Sequence, residues 1–442
     1  MIAKTIPEEY NDFILNRGVF MESAVTQSAN QLMQLMALVI LAGLVFTKVS
    51  EKIKIPDVVL YIFAGILLGP HLLNWINIET YPVENQLILS FGAAYILYDG
   101  GREIELSVLN KVKWSVGLLS TVGVVISTAV VGFFAQKFFG IPMVYALLMG
   151  AVIASTDPSV LVPLFKKMRI SSKLKQTIIS ESAFNDAAGA VVTFGLLAIV
   201  LGGSFSLGGS LLDLLKQIGG GILVGVVFGY LTHLIVSEKK YGIFNQYATF
   251  VVLIAVGGAY LIASHFDFSG FMAVFIIGMF CGNKEKFGFT IPEDSLDTHL
   301  RFKEVFTVIL RMMIFVLLGT HLHFDTLIAN IWPTLAVVGI LIFVARPLSV
   351  LVCVIFDRQA KWSWKQIVYL MWIRETGVIP AALSGMLLTS GVLHADIISA
   401  VTFATILITL TFQASTAKLL AKLLKLEIKE DLSENPVPLV SE

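Results

Sequence analysis

Thirteen runs of apolar residues, each of helical length, succeed one another along this chain. They fall at about 30–49, 56–71, 85–101, 114–136, 142–165, 176–201, 211–236, 247–265, 268–282, 302–320, 332–356, 365–389 and 395–417. A helical bilayer crossing takes roughly 20 apolar residues, and a segment in lipid must satisfy its own backbone hydrogen bonds. The pattern predicts an all-α polytopic membrane protein of about 13 transmembrane helices. The runs at 56–71 and 268–282 are short, which fits tilted or re-entrant geometry. Composition agrees, with 56% hydrophobic and 14% charged residues, whereas a soluble domain carries about 25% charged. The formal net charge is zero, so no nucleic-acid partner is expected. Cys281 and Cys353 lie in apolar runs and give neither a disulfide framework nor a metal spacing. Residues 1–29 are polar and mildly acidic, without the basic and apolar regions of a cleavable signal. The first span is therefore the expected targeting element.

Lysine and arginine test this division. Lys52 and Lys54 follow span 1; Arg102, Lys111 and Lys113 follow span 3; Lys166, Lys167, Arg169, Lys173 and Lys175 follow span 5. Lys239 and Lys240, then Lys284, Lys286 and Arg301, then Arg358, Lys361 and Lys365, and finally Lys418, Lys422, Lys425 and Lys429 continue the series. The 72–84, 202–210, 321–331 and 390–394 loops contain neither residue. Basic loops stay cytoplasmic, which places the N-terminal segment 1–29 outside and the tail 418–442 inside. That tail, about 25 residues, is short for a nucleotide-binding regulatory domain, since domains run from about 50 residues.

Thirteen spans accommodate two six-span repeats, 30–201 and 247–417, around a single linker helix at 211–236. One intervening helix gives the repeats opposite orientation, the inverted-repeat architecture of many secondary transporters. Matched spans carry breaks: Thr156-Asp157-Pro158 in span 5, and Gly377-Val378-Ile379-Pro380 in span 12. Proline removes a donor and crowds the preceding turn. Paired breaks in matched halves point to a substrate site at the repeat interface.

Span 6 holds Glu181-Ser182-Ala183-Phe184-Asn185-Asp186. At about 1.5 Å of rise per residue, Asp186 lies roughly 15 Å in from the cytoplasmic end. Carboxylates at that depth are costly and mark ion or proton pathways. Ser182 and Asp186 share a helix face and, with oxygens of Thr156 at the span 5 break, make a hard-oxygen site suited to small cations. Asp157 either compensates half-helix N-termini, which carry roughly +0.5 charge, or binds the cation itself. Glu181 requires a cationic partner: Arg346 in span 11 is the best candidate and Arg374 beside the span 12 break the alternative, with Asn185 placed to bridge. A permanently charged arginine suits a fixed structural pair. Asp99, near the end of span 3, reads either as an interfacial acid or as part of an ion funnel. Arg311 has no evident partner, and His265, His321 and His323 lie near the outer surface. Gly219-Gly220-Gly221 and the other glycines read as close helix packing. No nucleotide loop, cofactor motif or nucleophile elbow is found, and Ser269-Gly270 has no placed base, so an enzyme is not expected.

Thr156-Asp157-Pro158, Glu181-Ser182-x-x-Asn185-Asp186, the Arg346 helix and the Arg374 segment together resemble the monovalent cation/proton antiporter superfamily, on its sodium/proton exchanger (NhaP/NHE-like) branch. The Asn-Asp pair beside Glu-Ser is the specific part, and the resemblance covers nearly the whole chain. It implies the NhaA-like fold of crossed broken helices, a core domain of spans 4–6 and 11–13, a dimerisation domain of spans 1–3 and 8–10, and a homodimer. It implies exchange of Na⁺, Li⁺ or K⁺ against H⁺ without a cofactor. Carried onto this sequence, Asp186 is the shared cation and proton site, Ser182 and Thr156 are ligands, and Glu181 with Arg346 is the core ion pair. Asn185 marks the electroneutral subgroup, and Asp99 matches a variably used acid. Arg374-Glu375-Thr376-Gly377 departs from the Arg-Gly-Ala of many members, so the contribution of Thr376 and its neighbours is particular to this chain. The expectation is electroneutral Na⁺/H⁺ antiport in the plasma membrane of a bacterium or archaeon. A K⁺/H⁺ antiporter of the same fold, a cation channel and an organic-solute symporter stand as rivals.

Overall fold

The computed structural model describes residues 8–53, 56–76, 82–157, 165, 168, 170–202, 207–238, 242–322 and 324–427. Pro158 and His323 lie outside the described residues. The first half comprises α1 (Glu8–Ile53), α2 (Asp57–Leu68), α3 (Pro82–Arg102), α4 (Leu106–Ser120), α5 (Val122–Phe139), α6 (Met143–Val152) and α7 (Ser172–Val200). Then come α8 (Leu207–Val236), α9 (Ala248–His265), α10 (Gly270–Gly282), α11 (Glu293–Thr320), α12 (Phe324–Ala329) and α13 (Ile331–Ile340). The last are α14 (Arg346–Val354), α15 (Trp364–Trp372), α16 (Val378–Thr389), α17 (Ala395–Ile408) and α18 (Ser415–Leu423). Among the described residues the extended pairing is confined to one antiparallel bridge, Ile170 with Glu427. The fold is all-α, and among the described residues seven helical stretches are long and apolar enough to cross a membrane.

The apolar residues divide between an interior and an outward belt. Ala, Val, Leu and Phe side chains of α2, α3, α10 and α11 are buried together. Leu41 and Leu44 of α1 remain 60% and 57% exposed, and Ile254 of α9 72%, which suits a hydrocarbon surrounding rather than water. Helices meet where side chains vanish. A Cβ on Gly319 of α11 would lie 2.9 Å from the Gly65 Cα of α2, and one on Gly278 of α10 would lie 3.1 Å from the Gly101 Cα of α3. Larger residues would force these pairs apart.

Several helices depart from regularity. α4 and α5 join at Thr121, whose Oγ1 donates to the Gly117 carbonyl at 2.7 Å, a bond that bends helices. A π-helical turn, Leu341–Ala345, joins α13 to α14, and another, Thr409–Ala414, joins α17 to α18. Such turns cluster at functional places. α6 stops at Val152, and Ser155–Asp157 are irregular. α15 stops at Trp372, and the chain runs non-helically through Ile373–Gly377 before α16. The second break therefore precedes Pro380. That residue stands in the first turn of α16, where its missing N–H leaves no bond unmade, so it opens a helix rather than interrupting one.

Candidate cation-binding site

The two irregular segments are bonded to each other. The Asp157 N–H donates to the Glu375 carbonyl at 2.7 Å, and the Val378 N–H donates to Asp157 Oδ2 at 3.0 Å. Asp157 thus caps the N-terminus of α16, where a carboxylate meets both free donors and the positive helix end. In the reverse direction, Arg374 Nη2 donates to the Ile153 and Ala154 carbonyls at 2.9 and 2.7 Å. Its guanidinium closes the C-terminal end of α6. Each break carries the cap of the other. Gly377 is required at this contact, because a Cβ there would overlap the Asp157 carboxylate.

α7 lies against the first break. Ser182 Oγ donates to the Thr156 carbonyl at 2.6 Å, and Thr156 Oγ1 donates to Ser182 Oγ at 3.0 Å. Asn185 accepts from the Thr156 N–H at 3.0 Å and donates to Thr156 Oγ1 at 2.9 Å. Gly189 lets Ser155 approach α7 closely. Thr156, Ser182 and Asn185 are therefore one bonded cluster, and Asp186 follows Asn185 on α7 with Asp157 as its electrostatic neighbour. Asp186 is 7% exposed, and its Oδ1 has no hydrogen-bond partner among the described residues. A buried acceptor left in this condition is costly. A proton or a cation would relieve it.

Glu181, five residues away on α7, is treated differently. Arg346 engages it with both terminal nitrogens, Nη1 to Oε1 and Nη2 to Oε2, the latter at 3.1 Å. Arg346 also donates to the Leu370 and Ile373 carbonyls at 3.0 and 3.1 Å, so it closes the end of α15 as well. Of the two arginines the sequence left open for Glu181, the geometry selects Arg346. Arg374 serves the α6 terminus.

The remaining candidates separate from this cluster. Asp99 meets Lys303 Nζ at 2.7 Å and accepts from Thr307 Oγ1 at 3.2 Å. Arg311, for which the sequence offered no partner, lies 3.7 Å from Asp57 Oδ1. His265 is exposed, and His321 contacts Asn85 Nδ2 at 3.0 Å. The Thr376 N–H donates to Thr409 Oγ1 at 3.1 Å, joining the second break to a π-helical turn. Sequence reasoning noted Glu375 only as a family departure and gave it no role at the site. It is 1% exposed, with Oε1 lacking a partner among the described residues. The signal was available, since a carboxylate within an apolar span deserves the same suspicion as Asp186.

Crossed, mutually capped helix breaks around a buried carboxylate and hydroxyl cluster define an ion-transporter architecture. A family model described as "Sodium/hydrogen exchanger, transmembrane" matches residues 36–423, and the chain belongs to that family. The chain is similar to Na⁺/H⁺ antiporter 1 of Methanocaldococcus jannaschii, 29% identical over 435 residues, covering 90% of this chain and 97% of the relative. It is also 26% identical over 423 residues to the K⁺/H⁺ antiporter NhaP2 of Shewanella oneidensis, covering 93% of this chain and 69% of that one. The solved structure of the sodium proton antiporter MjNhaP1 from Methanocaldococcus jannaschii at pH 8 superimposes with a TM-score of 0.78 at 28% identity, covering 90% and 99% of the two chains.

Proposed function

We propose that this protein exchanges a monovalent cation for H⁺ across the membrane, one for one, with both competing for Asp186. The observation that carries the reading is the condition of that carboxylate: buried, one oxygen without a partner among the described residues, four residues on from Ser182 along α7, and with Asp157 as its electrostatic neighbour. Oxygen ligands of this kind suit small hard cations. Na⁺ is the first choice, with Li⁺ and K⁺ as alternatives; relatives bearing both sodium and potassium names keep K⁺ in view.

A bound cation excludes the proton, and a proton excludes the cation. Either partner neutralises Asp186, whereas the empty carboxylate is costly to carry across a low-dielectric barrier. This penalty ties movement to loading and makes the two fluxes obligatorily opposed. Asn185 and Ser182 hold Thr156 in place, while Glu181 with Arg346 fixes α7 against the end of α15. The reading includes two inverted six-helix repeats about α8, a core built on spans 4–6 and 11–13, and a dimerising unit of spans 1–3 and 8–10. It also includes a homodimer in the plasma membrane with its C-terminal tail in the cytoplasm. The distribution of Lys and Arg supports the orientation, and the outward apolar belt of α1 and α9 supports contact with lipid.

The test is proton flux into sealed vesicles containing the purified protein, followed with a pH-sensitive dye as Na⁺, K⁺ or Li⁺ is added. A cation-dependent signal indifferent to a clamped membrane potential is expected. A signal that follows the potential overturns the one-for-one stoichiometry, and potential-driven flux without proton coupling overturns antiport in favour of a channel.

A further inference from the structure

The last turn of α3 is wedged between three helices. Gln176 Nε2 of α7 donates to the Glu103 carbonyl at 3.3 Å. A Cβ on Gly100 would stand 3.7 Å from the Ala183 Cβ, one residue beyond Ser182 on the site helix. On the other side, α10 crosses at Gly101. Along α11, His299, Lys303 and Thr307 follow at intervals of four and form one stripe. All three face this turn. His299 meets Tyr98 and Arg102 at 3.1 Å each. Lys303 meets Asp99 at 2.7 Å and Glu103 at 3.7 Å, and Thr307 meets Asp99 at 3.2 Å.

Lys303 is an ammonium ion held on a carboxylate beside the cation-site helix. Its side chain is 12% exposed and that of Asp99 17%, so water screens the pair only partly. Asp99 has the charge and position to gather a cation approaching from the basic-loop end of the protein, but that charge is already answered.

We infer that Lys303 is a tethered competitor: it masks Asp99 and thereby sets the apparent affinity for the transported cation. It is a positioning residue rather than a ligand, acting through Asp99. The transported ion works against a resident ammonium at the approach, so removing Lys303 strengthens cation binding and leaves the coupling at Asp186 intact. Removing only Asp99 leaves a bare ammonium and weakens binding.

This inference rests on the antiport reading, and its test separates the two. Apparent affinity for Na⁺ and for K⁺ is measured from dye-followed proton flux in vesicles for the unaltered protein, Lys303→Gln, Lys303→Arg, Asp99→Asn and the Asp99→Asn/Lys303→Gln pair. Lys303→Gln is expected to tighten affinity about fivefold and Asp99→Asn to loosen it about fivefold, the scale of a partly screened ion pair. The pair together returns to within about twofold of the unaltered protein, and Lys303→Arg, which keeps the charge, does the same. Should Lys303→Gln alone not assemble, Asp99→Asn and the double variant pose the same question, and equal affinities in those two overturn the inference. An unchanged affinity in Lys303→Gln, or a gain that persists in the Asp99→Asn background, also overturns it. No exchange by the unaltered protein would instead strike the antiport reading.

Discussion

Two carboxylates five residues apart on α7 meet opposite fates. Glu181 is held by both terminal nitrogens of Arg346, which also closes the end of α15. Asp186 is nearly as buried, yet one of its oxygens has no partner among the described residues. Both charges are expensive at this depth. One is compensated by the fold, and on the antiport reading proposed above the other is left for an ion that comes and goes. On that reading, the contrast separates a carboxylate that builds the protein from one that works in it.

The sharpest way to break this contrast is Asp186→Asn. Exchange should fall at least about a hundredfold while the protein still folds, because removing a buried charge that has no ion pair among the described residues does not strain the scaffold. Flux assays beside thermal unfolding in detergent check this, and substantial residual exchange would erase the functional half of the comparison. Next, Arg346→Met should reverse the pattern, with a stability loss of about 3–5 kcal/mol from stranding the buried Glu181 charge. Glu181→Leu/Arg346→Met should recover much of that loss. A stable Arg346→Met would show that Glu181 is not fixed by the pair. Gly377→Ala should disturb the Asp157 cap on α16, costing about 1–3 kcal/mol, read by unfolding and by slowed exchange. Unaltered behaviour would mean that the contact at the crossing yields freely. The smallest effect belongs to Ser182→Ala, which should weaken apparent cation affinity about tenfold, equivalent to roughly 1.4 kcal/mol, with maximal rate nearly kept. An unchanged affinity would remove Ser182 from the ligand set.

Much of this was legible in the sequence for physical reasons that differ from place to place. Apolar runs of crossing length report helices directly, because lipid leaves the backbone no alternative. The Ser182, Asn185 and Asp186 arrangement on α7 follows from helix periodicity. Arg346 was the preferred partner for Glu181 and the structure bears it out, but Arg374 carries the same charge and only the packing of α14, α15 and α6 excludes it. Asp99 with Lys303 and Asp57 with Arg311 join helices far apart in sequence, and no periodicity reports such contacts. Proline marks both an interruption and a beginning, and the non-helical Ile373–Gly377 places the break just before Pro380. Glu375 entered only as a departure from the family pattern, although a carboxylate within an apolar span carries the same cost as Asp186.

The reciprocal caps at the crossing have a consequence for heredity as much as for mechanics. Asp157 closes the start of α16 and Arg374 closes the end of α6, so neither broken segment is complete within its own half of the chain. A chimera that takes residues 150–160 from one relative and 370–380 from another would inherit two half-locks cut for different keys. The two stretches must drift, recombine and be transplanted together, although some 200 residues of chain lie between them.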